Sequence, residues 1–186
     1  MLGENYIQEA VEKISQLRDE AQADDPLLEW HCIGPVQSNK TRVVAAHFDW
    51  VHTLDRLKIA ERLSAQRPPA LPPLQVCIQV NVDGGANKSG VAPEEALALA
   101  QQVSALPGLC LRGLMVIPEP APDFEANYAL FMKAKALFDA LNRAGLELDT
   151  LSMGMSADLE AAIHAGSTLV RVGTAIFGGR VAHGLV

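Results

Sequence analysis

Apolar positions recur along this chain in two alternating rhythms, and the alternation lays out its elements. Ile7, Val11, Ile14 and Leu17 fall on one face of a helix over Asn5–Arg18. Leu28–Ile33 reads as a short strand ending at Gly34-Pro35, and Val36–Ala46 as a stretch that is polar at first and then helical. Trp50–Leu54 is a second strand. Asp55 opens a helix through Leu57, Ala60 and Leu63, which Pro68, Pro69, Pro72 and Pro73 stop. Leu74–Val82 is the clearest strand, apolar on both faces as in a parallel strand covered on both sides. After the turn-forming run Asp83–Gly90, Pro93 starts a helix with Leu99, Val103 and Leu106 on one face. Leu109–Ile117 is again a strand, Pro118, Pro120 and Pro122 make a loop, and Phe124–Ala144 is the longest helix, stopped by Gly145.

Two matched units close the chain, 151–160 and 169–178. In each, a short apolar strand runs into a glycine (Gly154, Gly173) and then a hydroxyl residue (Ser156, Thr174). Ser156 is placed to cap a helix whose first turn carries Asp158 and Glu160. Backbone N–H groups at such turns, with Ser152, Ser156 and Thr174 nearby, suit a phosphate. Parallel α/β barrels often place a phosphate at their last two strand ends. The same pattern also fits ordinary strand-to-helix turns.

Repeated strand-then-helix units without a hairpin signal mean a parallel sheet. A doubly wound sheet and a (β/α) barrel both fit. Polar and glycine-rich sequence follows the strands, which puts the functional face at their C-terminal ends in either fold. A dinucleotide fingerprint and a P-loop motif are both lacking.

Composition narrows the classes. At 186 residues one domain, 1–186, is the natural expectation. With 49% hydrophobic residues and a net charge of −7, this reads as a soluble acidic protein, which argues against general nucleic-acid or anionic-membrane binding. No apolar run reaches membrane-spanning length, and Glu4 and Asn5 interrupt any signal-like start. Cys32, Cys77 and Cys110 are odd in number and sit in strand-like runs, the pattern of reduced core residues in a cytoplasmic protein.

Several motifs then stand out in order. They are Gly3-Glu4-Asn5-Tyr6-Ile7-Gln8-Glu9, His31-Cys32-Ile33-Gly34-Pro35-Val36-Gln37-Ser38-Asn39-Lys40, Gln79-Val80-Asn81, Lys88-Ser89-Gly90, and the two closing runs. Together they resemble the pyridoxal-phosphate homeostasis proteins (the YggS/PROSC-like family), relatives of the alanine racemase N-terminal barrel. The resemblance implies an α/β fold, a TIM-type (β/α) barrel of fold-type III that binds pyridoxal 5′-phosphate. It also implies a homeostatic role, holding the cofactor or delivering it to pyridoxal-phosphate-dependent apo-enzymes, with no classical reaction. A racemase-like enzyme is the alternative, weakened because only Tyr6 and Tyr128 are present; a cofactor-free remnant of the barrel is the third reading.

In that family a segment before Gly-Glu-Asn-Tyr supplies the first strand and the Schiff-base lysine. This chain begins at Met1-Leu2-Gly3-Glu4, inside the second unit. The barrel is therefore expected to be incomplete, open between the strand near Met1–Asn5 and that at Leu169–Gly173, with no catalytic residue and non-covalent cofactor binding at best.

By the same resemblance, the cofactor-binding residues are Asn5, Ser152, Met153, Ser156, Arg171, Gly173 and Thr174. Ser152, Ser156, Gly173 and Thr174 match the phosphate cradle. Arg171, a charge in a strand built for burial, needs an acceptor. That acceptor is either a carboxylate across the barrel or, as in fold-type III enzymes, the pyridine nitrogen. Met153 packs along the ring or fills the core. Lys40 and Lys88 sit in loops on the functional face, either solvated or holding anions. His31 reads as a satisfied core histidine, while His47, His52, His164 and His183 form no metal-ligand spacing.

Overall fold

The computed structural model describes residues 1–20, 27–84 and 89–178. Strands and helices alternate: β1 (Leu2–Glu4), α1 (Ile7–Glu20), β2 (Trp30–Cys32), α2 (Thr41–His47), β3 (Trp50–Leu54), α3 (Leu57–Gln66) and β4 (Leu74–Gln79). A short 3₁₀ turn at Pro93–Glu95 leads into α4 (Ala96–Ser104), followed by β5 (Leu109–Met115) and α5 (Phe124–Arg143). The chain continues through β6 (Thr150–Met155), α6 (Leu159–His164), β7 (Leu169–Arg171) and α7 (Thr174–Phe177).

Several boundaries differ from the sequence pattern, β4 ending at Gln79 and β5 at Met115 rather than at Val82 and Ile117. Leu106 lies past the end of α4, because the residue before Pro107 is pushed out of helical geometry, yet it still packs on the core. Strand β2 is three residues long, shorter than the apolar run that signals it.

All neighbouring strands pair in parallel, in the order β1 to β7. Among the described residues β1 and β7 do not pair, so the sheet is open between them, at the two edges the sequence marks.

Side-chain alternation splits each strand between two environments. Val51, Val76, Ile78, Leu114, Leu151 and Met153 join the large core beneath the helices. Trp50, Cys77 and Met115 form a second cluster on the other face. His52 on β3 and Ser152 on β6 share that inner face and touch, Nδ1 to Oγ at 2.9 Å. In a flat sheet, strands three places apart stand about 14 Å from each other at the usual spacing. The contact requires the sheet to curl onto itself. A TIM-type barrel is the result, and a flat doubly wound sheet is excluded.

Candidate functional site

The site takes shape where β6 and β7 end. Gly154, at φ 95°, turns β6 toward α6, and a Cβ there would stand 2.4 Å from that of Ala162; only glycine fits. The sequence pattern makes Ser156 the cap of α6, but the structure corrects this. Asp158 occupies the cap position, and its Oδ1 accepts from Met155 N at 2.6 Å. Ser156 Oγ instead accepts from Ala175 N at 3.2 Å, tying the β6 turn to the first turn of α7.

Gly173 precedes α7 at φ −123° and ψ −68°, outside both the helical and the extended regions, and a Cβ built on it meets no atom within 4 Å. Gly173 and Thr174 are exposed, and their amides make no hydrogen bond among the described residues. The turn therefore offers two backbone donors, the Thr174 hydroxyl and open space.

Arg171 lies beneath this turn. Its Nη1 donates to Ser152 Oγ at 2.6 Å and its Nη2 to the Val116 carbonyl at 2.9 Å. Burial pulls the guanidinium pKa down to about 10, against the opposing charge of Asp158, so it remains a cation at neutral pH. Among the described residues no carboxylate lies within ion-pair distance of it. The structural salt bridge is not formed. A half-buried cation is held by two neutral acceptors.

The other sequence-derived residues fall less neatly. Ser152 is fully buried, and its hydroxyl is engaged by Arg171 and His52; it supports the arginine from below rather than lining the turn. Met153 is corrected more sharply. Its side chain is wholly buried in the core under the helices, facing away from Ser152, and its backbone carbonyl accepts from Ser167 Oγ at 2.7 Å. Asn5 is exposed at the end of β1, beside the opening. Its carbonyl lies so close to Gly34 that a Cβ there would approach within 1.9 Å. Lys40 Nζ donates to Gln8 Oε1 at 3.4 Å, and Lys88 lies outside the described residues.

Sequence reasoning missed what continues inward from Ser152. His52 Nε2 and His31 Nδ1 lie 2.8 Å apart, and His31 Nε2 stands 3.2 Å from Glu29 Oε2. His31 is indeed a satisfied interior histidine, stacked on Trp50 with ring centroids 5.1 Å apart. The available signal was alternation: Glu29, just before β2, and His31 within it are two apart, as are Trp50 and His52 on the neighbouring β3, and the four share a face. Among the described residues no group of histidines, cysteines and carboxylates is arranged to hold a metal.

Residues 1–181 match the family model of the alanine racemase N-terminal domain. The pyridoxal phosphate homeostasis protein of Pseudomonas aeruginosa is 61% identical over 178 residues, covering 96% of this chain and 74% of the relative. That of Vibrio cholerae is 58% identical, with 96% and 75% covered. The chain belongs to the pyridoxal phosphate homeostasis protein family. Among solved structures it is similar to PipY of Synechococcus elongatus, whose structure with pyridoxal phosphate bound aligns with a TM-score of 0.82 at 37% identity, covering 95% of this chain and 80% of PipY. Alanine racemase of Corynebacterium glutamicum, at 19% identity and a TM-score of 0.67, shares the fold; 99% of this chain and 49% of that one are covered.

Proposed function

We propose that this chain binds pyridoxal 5′-phosphate at the mouth of its barrel, as part of keeping the cofactor available in the cell. The observation that carries the reading is Arg171, a half-buried cation whose hydrogen-bond partners among the described residues are a hydroxyl and a carbonyl. Such a group favours an acceptor with a lone pair, and the pyridine nitrogen has one. A fixed cation there keeps that nitrogen unprotonated, which weakens the ring as an electron sink. The cofactor supplies an aromatic aldehyde with a phosphate at its far end. Ser156, Gly173 and Thr174 fit the phosphate, since their turn holds open space and unengaged backbone donors. Asn5 is assigned to the cofactor's other side, across the opening.

The arrangement suits holding a cofactor more than turning over a substrate. Tyr128 stacks on Phe124 along α5, with ring centroids 6.0 Å apart. Delivery to apo-enzymes follows from a reversible hold of this kind, with residues 1–186 acting as one domain. Unpaired Cys32, Cys77 and Cys110 support a reducing, cytoplasmic setting. Among the described residues no helix is long and apolar enough to cross a membrane.

Calorimetric titration tests the binding. Pyridoxal phosphate should bind reversibly, pyridoxal without its phosphate more weakly, and Arg171→Ala should weaken both. Delivery is read as faster reactivation of an apo-enzyme by the loaded protein than by free cofactor at equal concentration. Absence of any binding by the unaltered chain would sink the proposal.

A further inference from the structure

We infer that Glu29, His31 and His52 are positioning residues for Arg171, forming with Ser152 a one-way hydrogen-bond chain through the barrel interior to the proposed cofactor site. Its links are Glu29 Oε2 to His31 Nε2 at 3.2 Å, His31 Nδ1 to His52 Nε2 at 2.8 Å, His52 Nδ1 to Ser152 Oγ at 2.9 Å, and Ser152 Oγ to Arg171 Nη1 at 2.6 Å. The two ends fix its direction. A guanidinium only donates and an ionised carboxylate only accepts. Glu29 is ionised: burial raises its pKa, but the hydrogen bonds from Trp50 and His31 outweigh that and hold it below the usual value.

From Arg171, then, Ser152 Oγ accepts and turns its own proton toward His52 Nδ1. His52 carries its proton on Nε2 and gives it to His31 Nδ1. His31 carries its proton on Nε2 and gives it to Glu29. The opposite order would set an unprotonated His31 Nε2 against the Glu29 carboxylate, two acceptors facing each other at 3.2 Å. Both histidines are neutral in this arrangement, in keeping with burial, which depresses each. Trp50 Nε1 anchors the other Glu29 oxygen at 2.8 Å, so the rim end is held as firmly as the arginine end.

The consequence lies at Arg171. Ser152 presents it a lone pair and not a proton, and with the Val116 carbonyl it holds both Nη atoms. The remaining donors of the fork are left for an acceptor in the site. This consequence rests on the cofactor reading above; the tautomers do not.

The test uses the full chain with ¹⁵N-labelled histidine and arginine. Without ligand, long-range proton–nitrogen spectra should show His31 and His52 both as neutral Nε2–H tautomers. An Nδ1–H tautomer at either overturns the inference. Arg171, assigned by loss of its signals in Arg171→Lys, should show distinct Nη resonances from a guanidinium held against rotation. His52→Gln, whose amide can accept from Ser152 and donate to His31, should keep them distinct, and His52→Phe should average them. If His52→Phe does not fold, Glu29→Ala at the half-exposed end replaces it and should cost His52 its single tautomer. Unchanged spectra in the disrupting variant overturn the inference.

With pyridoxal phosphate added, the disrupting variant should bind about tenfold more weakly, as expected for one misplaced charge-assisted hydrogen bond, and His52→Gln within about threefold. Equal affinity in all three proteins removes the positioning role. If the unaltered chain binds no cofactor, the cofactor reading fails, and the spectra alone decide whether the chain of tautomers stands.

Discussion

His52 on β3 and Ser152 on β6 are 100 residues apart in sequence and 2.9 Å apart in space. Their contact spans the curled sheet, and it places the hydroxyl that Arg171 requires. One bond thus serves both the fold and the site.

Ser152→Ala should accordingly cost more than a single hydrogen bond. It leaves His52 Nδ1 and one Arg171 N–H unsatisfied in a buried setting, a loss of about 1–3 kcal/mol for each such group. Urea unfolding should show a lowered midpoint at an unchanged slope. A midpoint equal to that of the unaltered chain would mean that neither group depends on Ser152.

Gly173→Val should separate binding from folding. A Cβ there meets nothing within 4 Å, so the cost to the fold is confined to a backbone at φ −123° and ψ −68°, which valine adopts less readily than glycine, about 1–3 kcal/mol. The same side chain would fill the space proposed for the phosphate, and calorimetry should find cofactor affinity lost. Thr174→Ala keeps the backbone donors and should weaken binding by about 1 kcal/mol, the worth of one hydrogen bond. Equal, negligible effects from both changes would remove the phosphate from this turn.

Met153→Ala should do the reverse of Gly173→Val. Its side chain is wholly buried under the helices, so truncation should destabilise the chain by about 2–5 kcal/mol, the cost of a core cavity. Cofactor affinity, measured below the lowered melting temperature, should be almost unchanged. A selective loss of affinity without loss of stability would return Met153 to the site.

Acid should destabilise the chain through its interior histidines. Burial, with smaller contributions from the charges of His31 and Arg171, holds His52 at about 3 against an ordinary 6.5. Between those values the unfolded chain binds a proton that the folded chain refuses. Stability therefore falls as pH falls through that window, by up to about 1.4 kcal/mol per pH unit for this one group. Glu29, held below 4.5 in the fold, adds a loss in the same direction at still lower pH. Unfolding midpoints compared between neutral and mildly acidic pH should show the slope, and His52→Gln should flatten it. An unchanged slope in that variant would place the titration elsewhere.

The helices and strands were legible in the chain because each rests on a local rule. The period of Ile7, Val11, Ile14 and Leu17, the prolines after α3 and the apolar run of β4 depend only on neighbours in sequence. Parallel pairing was legible too, since strand and helix alternate without a hairpin. The motifs marked Arg171, Ser156, Gly173 and Thr174, and a bond from Ala175 N to Ser156 Oγ joins the two closing turns. Tertiary structure decided the rest. Whether seven parallel strands lie flat or curl depends on contacts between distant strands, and the His52–Ser152 bond supplies one that no local period encodes. The same curling sends Ser152 inward to Arg171 and Met153 outward to the helices, though adjacent residues with polar and flexible side chains read alike in a site motif. Glu29, His31 and His52 each look ordinary along the chain. Only when the sheet curls do their side chains line up on one inner face, where hydrogen bonding replaces the water that burial removes.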